Sequence, residues 1–280
     1  MRLKQKIMDT LLYWFMALVL AFVLAILIFI LVYIIRSSSG FLNLSLVVKS
    51  AEEGGILPMI VTTLYVVLVS LTAALPVGII TAVFLNEYSG SSGLVRLLRL
   101  AIETLAGIPS IIYGLFGLLV FCRFLRLGQS IISGGLTLSI MILPVIIRTT
   151  EESLKSIPES FREGSLSLGA TKFQTIIHVV LPSALPGIIT SVILAIGRVV
   201  GESAPVLLTV GLAKNMPGSI FESGRTLTIH LYYLTNEAVR PEDFGTAFAA
   251  ASILIIMVFI INCVTKIISI GLNRKTGGQA

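Results

Sequence analysis

Residues 163–182 read Glu163-Gly164-Ser165-Leu166-Ser167-Leu168-Gly169-Ala170-Thr171-Lys172-Phe173-Gln174-Thr175-Ile176-Ile177-His178-Val179-Val180-Leu181-Pro182. The first half of this stretch is polar and rich in capping signals, yet it stands between long apolar runs. Hydrophobic chains rarely place a capped, amphipathic, charged segment between two spans unless something soluble docks there. Such a segment points to a membrane subunit driven by a separate engine.

Local rules give the surrounding segment, 151–175, a definite shape. Ser156-x-x-Glu159 reads as a capping box with Pro158 in the first turn. The helix it starts is expected to run to about Leu168 and stop at Gly169, a left-handed C-cap. Thr171-x-x-Gln174 is a second capping box and opens a helix leading to Leu181-Pro182. On the first helix Ile157, Phe161, Gly164 and Leu168 fall on one stripe, notched at Gly164, while Ser160, Arg162, Glu163 and Ser167 take other faces. The pattern admits two readings: a helix lying on the membrane surface, or a knob that plugs into a groove on a soluble partner.

The rest of the chain is greasy. Of 280 residues 12% are charged, half the share usual in soluble domains, and the mean hydropathy is +1.01. That composition means a polytopic membrane protein. The net charge of +6 does not suggest nucleic acid, because the Lys and Arg residues sit at span ends with no basic tract interleaved with aromatics. Cys122 and Cys263 lie in or beside apolar runs and read as small core or lipid-facing residues. His178 and His230 lack metal-ligand spacing to any Cys or carboxylate cluster. Arg2, Lys4 and Lys6 precede an apolar run from about Leu11 to Ile35, too long for a signal sequence, so an uncleaved anchor is expected.

A helix needs about 20 apolar residues to cross a bilayer. Six stretches qualify: 11–35, 56–85, 100–121, 130–149, 176–210 and 246–270. The second holds Pro76 and the fourth Pro144, both read as kinks. The fifth is long, holds Pro182, Pro186 and Pro205, and is expected to contain one span plus a broken or partly embedded end. With the N-terminus in the cytoplasm, twelve of the twenty Lys and Arg residues fall inside, seven outside and Arg198 within a span, so both termini are placed inside. The longest outer loop, 211–245, contains 226–235, an interfacial helix candidate with Tyr232 and Tyr233 at headgroup depth.

One span carries charge. Arg198 lies in the fifth, and a central charge costs about 2.5–3.5 kcal/mol on insertion scales. Glu202, at i+4, is placed to pair with it. Gly197-x-x-x-Gly201 lines an adjacent strip that permits close helix approach. The pair reads either as an internal lock between helices or as a gate, in which Arg198 attracts an oxyanion to its guanidinium fork and Glu202 holds it meanwhile. Glu103 is expected to pair with Arg99. Small residues at Gly107, Gly114 and Gly117 suggest tight packing, and Ser110 and Tyr113 are candidates to line a polar path.

The pattern Glu163-Gly164-Ser165-x3-Gly169-x9-Val179-x-Leu181-Pro182 resembles the coupling ("EAA") loop of ABC-transporter permeases, with Gly-Ser where Ala-Ala is usual. Gly54-Gly55-Ile56, Leu85-Asn86-Glu87-Tyr88 and 106–116 resemble phosphate permeases. Gly197-Arg198-Val199-Val200-Gly201-Glu202-Ser203-Ala204-Pro205 is similar to an element of the PstA-type subunit, with Ser203 in place of Thr. The resemblance implies an all-α, six-span permease of the MetI-like fold in a bacterial plasma membrane. It implies an anchor and outer loop over 1–55, a permease domain over 56–270 and a cytoplasmic tail over 271–280.

Function and partners follow from the same resemblance. It implies half of the pathway of a phosphate importer, with Arg198, Glu202, Ser110 and Tyr113 on the substrate route. Ile157, Phe161, Glu163, Gly164, Leu168 and Gly169 are then the coupling residues. The implied partners are a second, PstC-type permease, a cytoplasmic PstB-type ATPase dimer and an extracytoplasmic PstS-type phosphate-binding protein. No Gly-x4-Gly-Lys-Ser/Thr occurs, so ATP is expected to be used by the partner and no cofactor by this chain. Permeases for sulfate, molybdate or phosphonate are the rival within the class. A membrane-embedded enzyme is a further rival, disfavoured because no nucleophile constellation is present. A passive channel, with 151–175 lying on the membrane, is the last.

Overall fold

The computed structural model describes residues 2–50, 53–89, 93–238 and 243–275, and among these every regular element is helical. The helices are α1 (Arg2–Ser38), α2 (Leu44–Val48), α3 (Leu57–Val83), α4 (Gly93–Gly107), α5 (Ser110–Gly117) and α6 (Ile131–Lys155). They continue as α7 (Glu159–Ser167), α8 (Lys172–Thr175), α9 (Leu181–Gly201), α10 (Ala204–Thr209), α11 (Leu227–Glu237) and α12 (Asp243–Lys275). Widened, π-helical turns over Phe84–Tyr88, Leu118–Phe124 and Ile176–Val180 extend α3 and α5 and join α8 to α9. The last of these precedes Pro182, whose missing N–H and ring forbid a regular turn there.

Among the described residues five helical stretches are long and apolar enough to span a membrane, and the bent pair α4–α5 brings the number to six when its two pieces are counted as one span. The expected third span, 100–121, is therefore corrected. It is not one rod but two pieces meeting at 102°. Pro109 cannot donate to the preceding turn and pushes Ile108 out of helical backbone, which stops α4 at Gly107. α4 is strongly amphipathic, with Val95 and Ile102 buried and Leu94, Leu97 and Leu100 exposed. Its carboxylate partners also differ from expectation: Glu103 meets Arg148 at 3.5 Å, whereas Arg99 reaches Glu151 at 2.5 Å.

α6 is the centre. Two-thirds of its most apolar stretch is buried, against none of that of α1. In a bilayer helices gain little from excluding water, so contact must come from close backbone approach at small residues. α6 supplies these at Gly134 and Gly135, where a Cβ would run into Val210 and Val69. Leu138, Met141, Ile142 and Ile146 fill the core beside Val66 and Val67 of α3 and Ala195, Ile196 and Val199 of α9. Three hydroxyls at depth in α3 are satisfied within their own helix: Thr62, Thr63 and Ser70 donate to the carbonyls four residues back at 2.7–2.8 Å.

The two ends of the bundle are finished differently. The first N–H groups of α6 are taken by loop carbonyls, Ile131 donating to Glu222 at 3.0 Å and Ile132 to Ile220 at 2.9 Å. Thr63 accepts the Leu227 N–H at 2.9 Å, fixing α11 to this end. The expected interfacial helix over 226–235 is thus present as α11, capped by Thr226. At the other end α6 runs into the segment 156–171.

Candidate functional site

The candidate residues gather at two places, one at the end of α6 and one at the end of α9. At the first, the expected Ser156-x-x-Glu159 box does not form. Ser156 instead closes α6, donating to the Ser153 carbonyl at 2.8 Å, and Pro158 precedes the first residue of α7. Gly169 does take left-handed backbone, φ +86°, which L residues with a Cβ adopt at a cost. Both halves of the Thr171–Gln174 capping box are made, at 3.3 and 2.8 Å.

α7 is tied down along one side. Arg162 donates to Glu87 Oε1 through Nη2 at 2.9 Å and Nε at 3.2 Å. It also reaches the carbonyls of Leu154 and Ile157, at 2.9 and 3.0 Å. The two charged side chains are 12% and 7% exposed, so the pair is nearly dry. Ser165 and Thr175 share a hydrogen bond at 2.9 Å. Lys172 lies over the Tyr88 ring at 5.0 Å. Nearby, Glu151 gathers Arg99 and Lys155, binding α4 to α6.

The other side of the segment is open. Phe161 is 51% exposed, Leu168 90% and Phe173 64%. Glu163 is exposed, and among the described residues nothing approaches Gly164. The predicted stripe is corrected at one member: Ile157 lies outside α7 and is buried with Leu85, Leu154 and Val180. The outward apolar set is therefore Phe161, Leu168 and Phe173, with Glu163 and Gly169 beside it. Arg162, its partner Glu87 and Glu151 were not singled out from the sequence. The pairing spans 75 positions and has no local signature; Glu87-Tyr88 at the end of an apolar run was the available hint.

At the second feature α9 stops at Gly201. Glu202 turns into extended backbone, ψ 134°, and α10 restarts two residues later. Arg198 occupies the last turn of α9, where the unpaired carbonyls of a helix end favour a cation. Its Nε lies 3.9 Å from Glu202 Oε1, an ion pair without a hydrogen bond, with the side chains 32% and 17% exposed. Among the described residues nothing lies against Gly197 or Gly201, so the close approach anticipated for that strip is not made by them.

α5 brings the other candidates alongside. Gly114 lets it close on α10, a Cβ there falling 2.9 Å from Pro205 Cα. Tyr113 is buried and within electrostatic reach of Arg198. Its hydroxyl donates to the Leu105 carbonyl at 2.6 Å, which straps the α4–α5 bend shut. Ser110 is half-buried at the first turn of α5. Arg198, Glu202 and Tyr113 are thus gathered around one break, with Tyr113 already committed to a backbone partner. Among the described residues no three His, Cys, Asp or Glu side chains cluster as metal ligands.

Comparison with known proteins gives the family and the fold. The chain is 33% identical over 238 residues to the probable ABC transporter permease protein YqgI of Bacillus subtilis, covering 80% of this chain and 81% of that one. It is 36% identical over 241 residues to the phosphate transport system permease protein PstA 1 of Mycobacterium tuberculosis, covering 85% and 78%. The fold matches the MetNI methionine ABC transporter in an inward-facing form, with a TM-score of 0.66, 21% identity and coverage of 80% and 99%. The model of the family described as "binding-protein-dependent transport system inner membrane component" matches residues 74–274, and the chain belongs to that family.

Proposed function

We propose that this chain is one of two membrane subunits of an ATP-driven importer of inorganic phosphate, the PstA-type subunit. A PstC-type permease completes the pathway, and a PstB-type ATPase dimer binds from the cytoplasm. One ATPase of the dimer sits on the segment 151–175. A PstS-type phosphate-binding protein docks on the opposite face, against 211–245. Both termini are cytoplasmic, which places the basic ends of α1 and α12 inside.

The observation that carries the reading is Arg198, a guanidinium about one-third exposed at a helix break with its carboxylate too distant for a hydrogen bond. Such a group offers a tetrahedral oxyanion two parallel donors without holding it permanently, as transport requires. The kinship to phosphate permeases selects the substrate. Closure of the ATPases pushes on Phe161, Leu168 and Phe173. The Arg162–Glu87 pair passes the movement to the end of α3, and the bundle swings between outward-open and inward-open states.

The test is ATP-dependent accumulation of labelled phosphate by the reconstituted complex, with sulfate, molybdate and a phosphonate as competitors. Accumulation is expected to disappear in Arg198→Gln with the complex intact. Normal uptake by that variant reduces Arg198 to a packing residue. Stronger competition by another oxyanion moves the reading to that anion, and uptake without any ATPase makes the chain a channel.

A further inference from the structure

A second guanidinium sits at the end of the bundle remote from the coupling segment. Arg225 precedes α11 and is 8% exposed. Its Nε is buried with no hydrogen-bond partner, and it forms no ion pair among the described residues. The contact it does make is with the Tyr233 ring, whose centroid is 4.6 Å from the guanidinium carbon. The acid nearest in its own loop, Glu222, is exposed and accepts the Gly218 N–H at 2.9 Å.

This arrangement is out of balance. An arginine does not shed its proton to escape burial. Taking such an ion out of water costs several kcal/mol, whereas a desolvated cation–π contact returns about 2 kcal/mol. The surroundings add positive potential rather than relieving it. His230, one turn into α11, has a buried Nδ1 with no partner. Burial, then the charges of Arg225 and Lys214, push it down to about 4, so it is a neutral ring with a spare nitrogen at physiological pH. An unpaired guanidinium, an unused imidazole nitrogen and a lysine within electrostatic reach form a site lacking its counter-charge.

We infer that Arg225 and His230 bind a phosphate group, with Lys214 adding long-range attraction. The guanidinium presents parallel donors to two oxygens of a tetrahedral oxyanion, and His230 Nδ1, in its protonated tautomer, donates to a third. The same chemistry is offered by inorganic phosphate from solution and by a phospholipid headgroup, since Tyr232 beside the site is 52% exposed at an interfacial helix. The inference does not depend on transport and stands or falls separately from the role of Arg198.

The experiment uses the full chain in its complex, solubilised in phosphate-free maltoside without binding protein or nucleotide. Equilibrium binding of labelled inorganic phosphate is measured in the Arg198→Gln background, which removes the pathway guanidinium. Adding Arg225→Gln is expected to weaken binding at least tenfold, Arg225→Lys less, and His230→Gln by a smaller factor. Added phospholipid separates the sources: displacement of bound phosphate assigns the site to headgroups, and undisturbed binding assigns it to the free anion. Equal binding with Arg, Lys and Gln at 225 overturns the inference. So does a loss that follows the melting temperature of the variants rather than the charge at that position.

Discussion

Arg162 and Glu87 stand 75 positions apart in the chain, yet two nitrogens of one guanidinium close on a single carboxylate oxygen, at 2.9 and 3.2 Å. The pair joins α7 to the widened last turn of α3. It is a direct polar link between the segment proposed to meet the ATPase and a helix that lines the core.

Glu87→Gln removes the buried counter-charge of Arg162 and leaves its nearly buried guanidinium, among the described residues, with only the exposed Glu159 carboxylate, at 3.2 Å. Breaking a buried pair from one side typically costs about 3–5 kcal/mol. We expect a lower melting temperature and ATP hydrolysis that no longer drives uptake. Arg162→Gln placed on top of Glu87→Gln is expected to recover stability but not coupling. A Glu87→Gln subunit with unchanged melting temperature and full uptake excludes the pair as a linkage.

Phe161 is half exposed on the outward face of α7. Removing a solvent-facing side chain usually alters stability by less than about 0.5 kcal/mol. Phe161→Ala is therefore expected to insert and fold normally while capture of the ATPase falls at least tenfold. Undiminished capture in a pull-down removes this face from the docking surface.

Gly117 faces Thr137 so closely that a Cβ would collide with its hydroxyl. Thr137 is buried and donates to the Ser133 carbonyl at 2.7 Å. Gly117→Ala overpacks the α5–α6 contact and is expected to cost about 1–3 kcal/mol. Gly117→Ala combined with Thr137→Ala is expected to be more stable than the first change alone. Strict additivity in that double-mutant cycle rules out the contact.

His230 supplies a pH signature. Its ordinary value of 6.5 falls to about 4 in the folded protein. The unfolded chain takes the proton first, so its contribution is complete above pH 6.5 and is lost as pH falls towards 4. The loss amounts to no more than about 3.5 kcal/mol. His230→Gln is expected to flatten stability over that window, read from melting temperatures between pH 7 and 4.5. An unchanged slope places the titrating group elsewhere.

Much of this architecture was legible because a bilayer enforces simple rules. Long uncharged runs must be helices, and α1, α3, α6, α9 and α12 lie where hydropathy put them. Cap chemistry was equally readable at Gly169 and Thr171, where one residue type satisfies one local geometry. The failures have physical causes. Pro109 lies inside the run expected as the third span, and its power to end a helix in mid-run outweighs the hydropathy there. Ser156 and Glu159 had the right spacing, but Pro158 left no room for the box, and α6 claimed the serine. Ile157 was assigned to the outward stripe by periodicity, although it precedes α7 and turns into the core. Glu87, Glu151 and Arg225 depend on contacts or isolation created by the whole fold, which no local pattern records.

α1 meets the remainder of the subunit chiefly through α12, with Tyr33 edge-on to Phe248 and the Ser252 hydroxyl donating to Ser38 at 2.9 Å. It resembles a mast held by one stay. An engineer could exchange its oily surface for another of similar length and leave the interior unaltered, provided that narrow collar of serines and rings were kept.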